Sequence, residues 1–276
     1  MNALTIDVED YFHVSAFARH IRPEQWDSLP CRVERNVDLI LDLLAQHGAH
    51  ATFFTLGWVA QRYPNLIRRI VAQGHELASH GYAHQRASEQ TPAEFRDDIR
   101  LSKALLEQLS GQAVLGYRAP SFSISPENWW ALSSLEDAGY RYSSSIYPIH
   151  HDHYGMPDAP RFAWHPTSSS GLLELPVSTV RLLGYNLPAG GGGYFRLLPY
   201  RVSRWALRHI NSHDGQAGIF YFHPWELDPD QPIPPGISLQ ARCRHRLNLH
   251  RMQGRIARLL SDFRWGRIDH IFLEQT

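Results

Sequence analysis

The sequence predicts an α/β fold: one β/α domain, built as a barrel or a distorted barrel and carrying a C-terminal extension. Three observations predict it. Short apolar runs alternate with longer amphipathic ones through the first half of the chain, as in β/α units around a parallel sheet. Glycines stand where the amphipathic runs stop, at Gly48 and Gly74. No internal repeat or linker composition divides the 276 residues, a length sufficient for one large core.

Leu4 to Val8 reads as a buried strand, and VERNVDLILDLLAQ, residues 33–46, as a helix. ATFFTL (51–56) is the second strand, followed by a helix from about Pro64 to Ala72. His75 to Ser79 is a short third strand, so His80 lies just past its carboxyl end. In TPAE (91–94), Thr91 is an N-cap, Pro92 takes the first helical position and Glu94 closes a capping box; that helix should run to about Ser110. Leu115–Arg118 and Tyr140–Ser144 are the next strands, with a helix over Pro126–Glu136 between them. His150 to Ser170, with HHDHYGMPDAP and a serine run, reads as loop. Leu172–Val177 and Ile219–Phe222 are later strands, separated by a helix from Tyr200 to about Ile210.

Hydrophobic residues at 43% and charged residues at 20% are ordinary for a soluble globular protein. Lys plus Arg and Asp plus Glu both number 27, so no net charge pulls in nucleic acid or an anionic membrane over long range. No run approaches the ~18 apolar residues of a membrane span. MNALTIDVEDYFH shows neither a basic leader nor an apolar h-region; a cytoplasmic location is the expectation, with envelope association as the alternative. Cys31 and Cys243 are the only cysteines and read as two reduced thiols.

With seventeen histidines, roughly one i, i+4 pair is expected by chance. There are two, His80/His84 and His209/His213. In parallel β/α architectures the carboxyl ends of the strands gather on one face, which predicts that Asp7, Glu9 and Asp10, His80 and His84, Arg118, and His223 converge. A hydrolytic zinc site takes three ligands from His, Asp and Glu and leaves a position for water or substrate. A helical turn after Ser79 would put His80 and His84 on one side. IDVED offers a carboxylate to complete the set and another to take a proton from water. His209/His213, on RVSRWALRHINSH, has no such companions and reads as a solvated helix face.

TIDVEDYF, SHGYAH, RAPSFS and FYFHPWE, in that order, resemble the signature segments of the NodB-type polysaccharide deacetylases, carbohydrate esterase family 4. GGGYFRLLP and HPWELDPDQP extend the resemblance to the members associated with exosortase-type exopolysaccharide clusters. The resemblance implies a distorted (β/α) barrel over residues 1–225, with a C-terminal extension over 226–276 packed on it. It implies a divalent metal, Zn2+ first, and hydrolysis of N-acetyl groups from N-acetylhexosamine units of a polysaccharide in exopolysaccharide biosynthesis. Asp7 matches the family's base, Arg118 the arginine that holds it, His80 and His84 the metal ligands, and His223 the general acid. Tyr11, Pro120 and Trp225 are expected at the substrate, with a backbone N–H near Tyr11 or Phe12 at the oxyanion.

The chain departs from the family pattern at several points. Two adjacent aspartates are usual, whereas Val8 separates Asp7 from Glu9 and Asp10 here; strand alternation favours Glu9 as third ligand, with Asp10 as the alternative. Ser121 and Phe122 replace the usual tyrosine. Ser143–Ser145 stand where the aspartate partner of the late histidine is expected. A metal-independent amidohydrolase of small amides and an inactive carbohydrate-binding protein remain as alternatives. AGGGGY (189–194) lacks the spacing of a phosphate-binding loop and reads as a turn or a lid near the sugar site. HHDH at 150–153 reads as a polar loop.

Overall fold

β1 (Asn2–Val8) is buried along its whole length, as a central parallel strand must be. In the computed structural model, which describes residues 1–151, 154–166, 171–234 and 236–273, β1 pairs with β2 (Thr52–Thr55) on one edge and with β9 (Ile219–Phe222) on the other. The sheet continues from β2 through β3 (Glu76–Ser79), β4 (Gly116–Tyr117) and β5 (Tyr142–Ser143) to β6 (Leu173–Glu174), each strand parallel to the last. Beyond β6 the chain returns to β9: Ser178 N–H donates to Ile219 O at 3.3 Å, and Gly191 forms a parallel bridge with Tyr221. The sheet is therefore rolled into a distorted barrel. An antiparallel ribbon, β7 (Thr179–Leu182) with β8 (Tyr185–Pro188), stands apart from it.

Alternation along β1 sorts its side chains. Leu4, Ile6 and Val8 point outward into a core with α1 (Val33–Gln46) and the late helix of residues 249–262. Full burial of each contributes about 1.5–3 kcal/mol. Ala3 joins Phe54, Ala78 and Tyr142 inside the barrel, and Thr5 and Asp7 share that side. The remaining helices are α2 (Gly57–Arg62), α3 (Pro64–Ala72), α4 (Pro92–Ser110), α5 (Trp130–Asp137), α6 (Gly192–Leu197), α7 (Tyr200–Ser212), α8 (Leu239–Arg246) and α9 (Leu249–Asp262). Thr91 and Glu94 form the expected capping box on α4, which ends at Gly111 in the left-handed conformation.

Several elements differ from expectation. The helix expected from Pro126 opens as a 3-10 turn and becomes α-helical only at Trp130. α2, the β7–β8 ribbon and both C-terminal helices carry no sequence expectation. The C-terminal extension does more than pack on the barrel: β10 (Trp265–Gly266) pairs in parallel with Asn2 and Ala3 at the start of β1. The glycine run is neither lid nor simple turn. A Cβ on Gly191 would stand 1.9 Å from Tyr221 O, and one on Gly190 2.3 Å from Val177 Cγ1, so glycine is what lets this segment dock on β9. Asp152, His153 and the serines of the 168–170 run lie outside the described residues.

Candidate active site

The chain turns as soon as β1 ends, with Glu9 N–H donating to Asp7 O at 3.0 Å. Asp7 and Glu9 thus face the same mouth of the barrel. Arg118, fully buried at the end of β4, spans the interior to meet the first of them. Its Nη1 donates to Asp7 Oδ1 at 2.6 Å and to Thr5 Oγ1 at 2.8 Å, Nη2 to Ser144 Oγ at 2.9 Å, and Nε to Ser144 O at 3.1 Å. The Phe54 ring packs under its guanidinium at 4.1 Å. Of the serines standing where the aspartate was expected, Ser144 therefore anchors this arginine, while Ser145 accepts from Ala119 N–H.

His80 leaves β3 with its Nδ1 2.8 Å from Arg118 O. A carbonyl only accepts, so Nδ1 carries the hydrogen and the Nε2 lone pair faces the site. The helical turn expected after Ser79 is absent: Gly81 has φ +74° and His84 φ +53°, and a reversal of the chain brings the two rings to 5.3 Å. Asp98 of α4 holds that reversal by accepting from Tyr82 N–H at 3.0 Å. His84 Nε2 then lies 2.9 Å from Glu9 Oε2. One ligand atom each from Glu9, His80 and His84 fall within 4.8 Å of one another, a geometry that can hold a cation.

His223, directly after β9, closes the other side. Its Nε2 is 3.4 Å from Glu9 Oε1 and 3.9 Å from Asp7 Oδ2. Its Nδ1 meets Glu226 Oε1 at 3.0 Å, so the histidine has a carboxylate partner that the sequence reading missed. The signal was present in HPWE: Pro224 opens a 3-10 turn over Pro224–Leu227, and at three residues per turn positions i and i+3 eclipse. Arg196 Nε stands 3.7 Å from the other Glu226 oxygen. Arg196 is itself held by the carbonyls of His245 and Leu247, at 2.7 and 3.1 Å.

Other expected site residues are placed differently. Asp10 does not reach the histidines. It caps the turn after β1 and the start of α1, accepting from the backbone N–H groups of Tyr11, Arg32 and Val33, because only an acceptor-rich side chain can satisfy those donors. Tyr11 N–H is thereby committed to Asp10 at 2.8 Å and is not free for an oxyanion, while its ring is buried in an aromatic cluster with Phe12, Trp26 and Trp225. Trp225, 4% exposed, lies between the rings of His223 and His245 and donates Nε1–H to Glu9 Oε1 at 3.2 Å. It orients the carboxylate and offers no open face to a sugar. Pro120 is buried at the start of a 3-10 turn.

The charges are pushed apart. Burial works to raise the Glu9 carboxyl, but the imidazoles of His84 and His223 outweigh it and hold the group well below the usual carboxylate range. Burial draws His80 down to about 4, leaving it a neutral lone-pair donor. Burial also opposes a charge on His223, yet Glu9, Glu226 and Asp7 raise it to about 9. One barrel mouth thus holds a neutral imidazole, His80, and a protonated one, His223.

Among the described residues a second cluster of ligand-type atoms occurs at His209, His213 and Asp214. Asp214 is committed there to Arg161 at 2.8 Å, and the two imidazoles stack on each other. His151 stacks on Tyr154 at 3.9 Å.

Residues 25–143 match the polysaccharide deacetylase family, and residues 144–273 match a domain of unknown function (DUF3473). A chitooligosaccharide deacetylase of Bradyrhizobium is 30% identical over 175 residues, covering 54% of this chain and 76% of the relative. A peptidoglycan-N-acetylglucosamine deacetylase of Bacillus cereus is 38% identical over 81 residues, covering 29% of this chain and 30% of the relative. Among solved structures, a Mycobacterium smegmatis protein assigned as a polysaccharide deacetylase superposes with a TM-score of 0.62 at 21% identity, over 99% of this chain and 90% of that one; at this identity the likeness speaks for the fold.

Proposed function

Because the chain belongs to the polysaccharide deacetylase family, we propose that it hydrolyses N-acetyl groups from N-acetylhexosamine units of a polysaccharide, using a divalent cation held by Glu9, His80 and His84. The observation that carries this reading is the meeting of those three groups beside the Asp7–Arg118 pair. The donor set fits such an ion. Two imidazoles and a carboxylate are a common hydrolytic zinc set, which is why Zn2+ is the proposed ion. The His80 tautomer is fixed by a carbonyl, and Glu9 Oε2 is buried without a hydrogen bond while facing His84.

Bound there, the ion would act as a Lewis acid on the acetyl carbonyl and lower the pKa of water. Asp7 Oδ2, on the oxygen not taken by Arg118, accepts the proton of the attacking water. Arg118 holds that carboxylate in place through its 2.6 Å hydrogen bond to Oδ1. Opposite it, His223 gives its Nε2 proton to the departing amine, and Glu226 holds the ring through Nδ1. Acetate and a free amino sugar leave. A role in exopolysaccharide biosynthesis rests on the GGGYFRLLP and HPWELDPDQP segments.

The test is acetate release from N-acetylglucosamine oligomers. Chelated protein and His80→Ala should lose release, and added Zn2+ should restore only the former. Undiminished release by metal-stripped protein would favour a metal-independent amidohydrolase, and saturable glycan binding without acetate a binding protein.

A further inference from the structure

The balanced net charge conceals a segregated one. Residues 175–213 contain five arginines (Arg181, Arg196, Arg201, Arg204 and Arg208) and no Asp or Glu. Three of these lie on α7, against which the β7–β8 ribbon packs through Val180, Ala189, Ala206 and Ile210; of the three, Arg204 is paired with Asp262 of α9 at 3.1 Å. Arg201, Arg204, Trp205 and Arg208 line an open groove along α7, joined from α9 by Arg258.

The ribbon has one apolar face. Its register pairs Val180 with Leu187 and Leu182 with Tyr185, so all four side chains lie on the same side. Val180 at the base is buried against α7, but Leu182, Leu187 and Tyr185 run past the helix into solvent, Tyr185 at 67% exposure. The turn is more telling. Leu183 and Gly184 both have positive φ, 51° and 85°, as the tight two-residue hairpin turn demands. Asn, Asp or Gly is preferred at the first of these positions, and a leucine there is strained. Leu183 has neither a conformational preference for the position nor a core to join, since it is 89% exposed.

From this arrangement we propose that the β7–β8 tip and the arginine face of α7 form a docking surface for an anionic lipid bilayer. An exposed leucine turn with Tyr185 beside it, and an exposed Trp205 on α7, suit the headgroup boundary, where such rings are stabilised. Flanking guanidiniums match lipid phosphates. A second copy of the chain fits poorly, because Asp262, the acid beside these arginines, is already paired with Arg204, and a two-fold contact would set Arg201, Arg208 and Arg258 against their own copies. An acidic polymer would meet the arginines but leave the leucines in water.

The full chain is tested by flotation with vesicles of phosphatidylcholine alone and with about one third phosphatidylglycerol, at two salt concentrations. Binding is expected to the anionic vesicles, weakened by salt, and faint on the neutral ones. Arg201→Ala/Arg208→Ala should weaken it roughly 30-fold, at about 1 kcal/mol per charge near the surface. Leu183→Glu should abolish it, and both variants should keep acetate release from soluble oligomers. The proposal is overturned by equal or absent binding to the two vesicle types, or by an unchanged Leu183→Glu variant. Binding to a soluble polyanion without vesicle binding, or a dimer in solution that Leu183→Glu dissociates, would likewise overturn it and identify the other occupant.

Discussion

Replacing Arg118 by methionine removes the cation while retaining most of the volume stacked on Phe54. The guanidinium makes four hydrogen bonds to Asp7, Thr5 and Ser144, and both it and Asp7 are shut off from solvent. Removing one partner of a buried pair costs about 3–5 kcal/mol, chiefly because the other charge is left uncompensated. For a chain of this size that corresponds to a fall in Tm of roughly 10 °C. Asp7→Asn should cost less, since the amide oxygen still accepts. The double variant Asp7→Asn/Arg118→Met carries no stranded charge, so its loss should fall short of the sum by about 2–3 kcal/mol. Urea unfolding followed by tryptophan fluorescence, with wild type, both single variants and the double variant, measures that coupling. A coupling under 0.5 kcal/mol, or an Arg118→Met loss under 1 kcal/mol, would refute the view that this pair is the electrostatic keystone of the barrel mouth. Arg118→Lys should recover part of the stability but little of the activity, because an ammonium cannot reproduce the fork that reaches Asp7 and Ser144 together.

Glu226→Gln should lower kcat/KM about tenfold to a hundredfold with KM little changed, as loss of a charged hydrogen bond to His223 implies; steady-state acetate release decides it. In metal-free protein, His223 has a folded pKa of about 9 against an ordinary 6.5. Its contribution to stability is therefore full below about pH 6.5 and lost as pH rises through 9. His80, depressed to about 4, works in the opposite sense, and stability should fall as pH drops from 6.5 towards 4 because the unfolded imidazole takes up the proton first. Urea midpoints across pH 4–10 should therefore peak between these limits; a steady rise with pH would contradict the His223 shift, and a steady fall the His80 shift. Gly191→Ala should destabilise by more than about 3 kcal/mol, since φ is +114° and the new Cβ would meet Tyr221 O at 1.9 Å; a circular-dichroism melt matching wild type would refute the tight seam.

Local patterning alone determined much of this molecule. The bounds of α1 and α3, the capping box of α4, and the placing of Asp7, His80, Arg118 and His223 at strand ends follow from alternation, helical period and cap chemistry, which act over a few residues. Tertiary structure decided the rest. Glu9 joins the histidines and Asp10 does not, because the N–H groups of Arg32 and Val33 arrive from twenty-odd positions away and claim the Asp10 carboxylate. Trp225 faces Glu9 because the C-terminal segment lays His245 against its other side. The serines at 143–145 read as a missing aspartate until Arg118 crosses the barrel to meet Ser144. Each of these outcomes depends on which donors and acceptors meet in a buried space where none can be left unpaired, and local sequence does not specify those meetings.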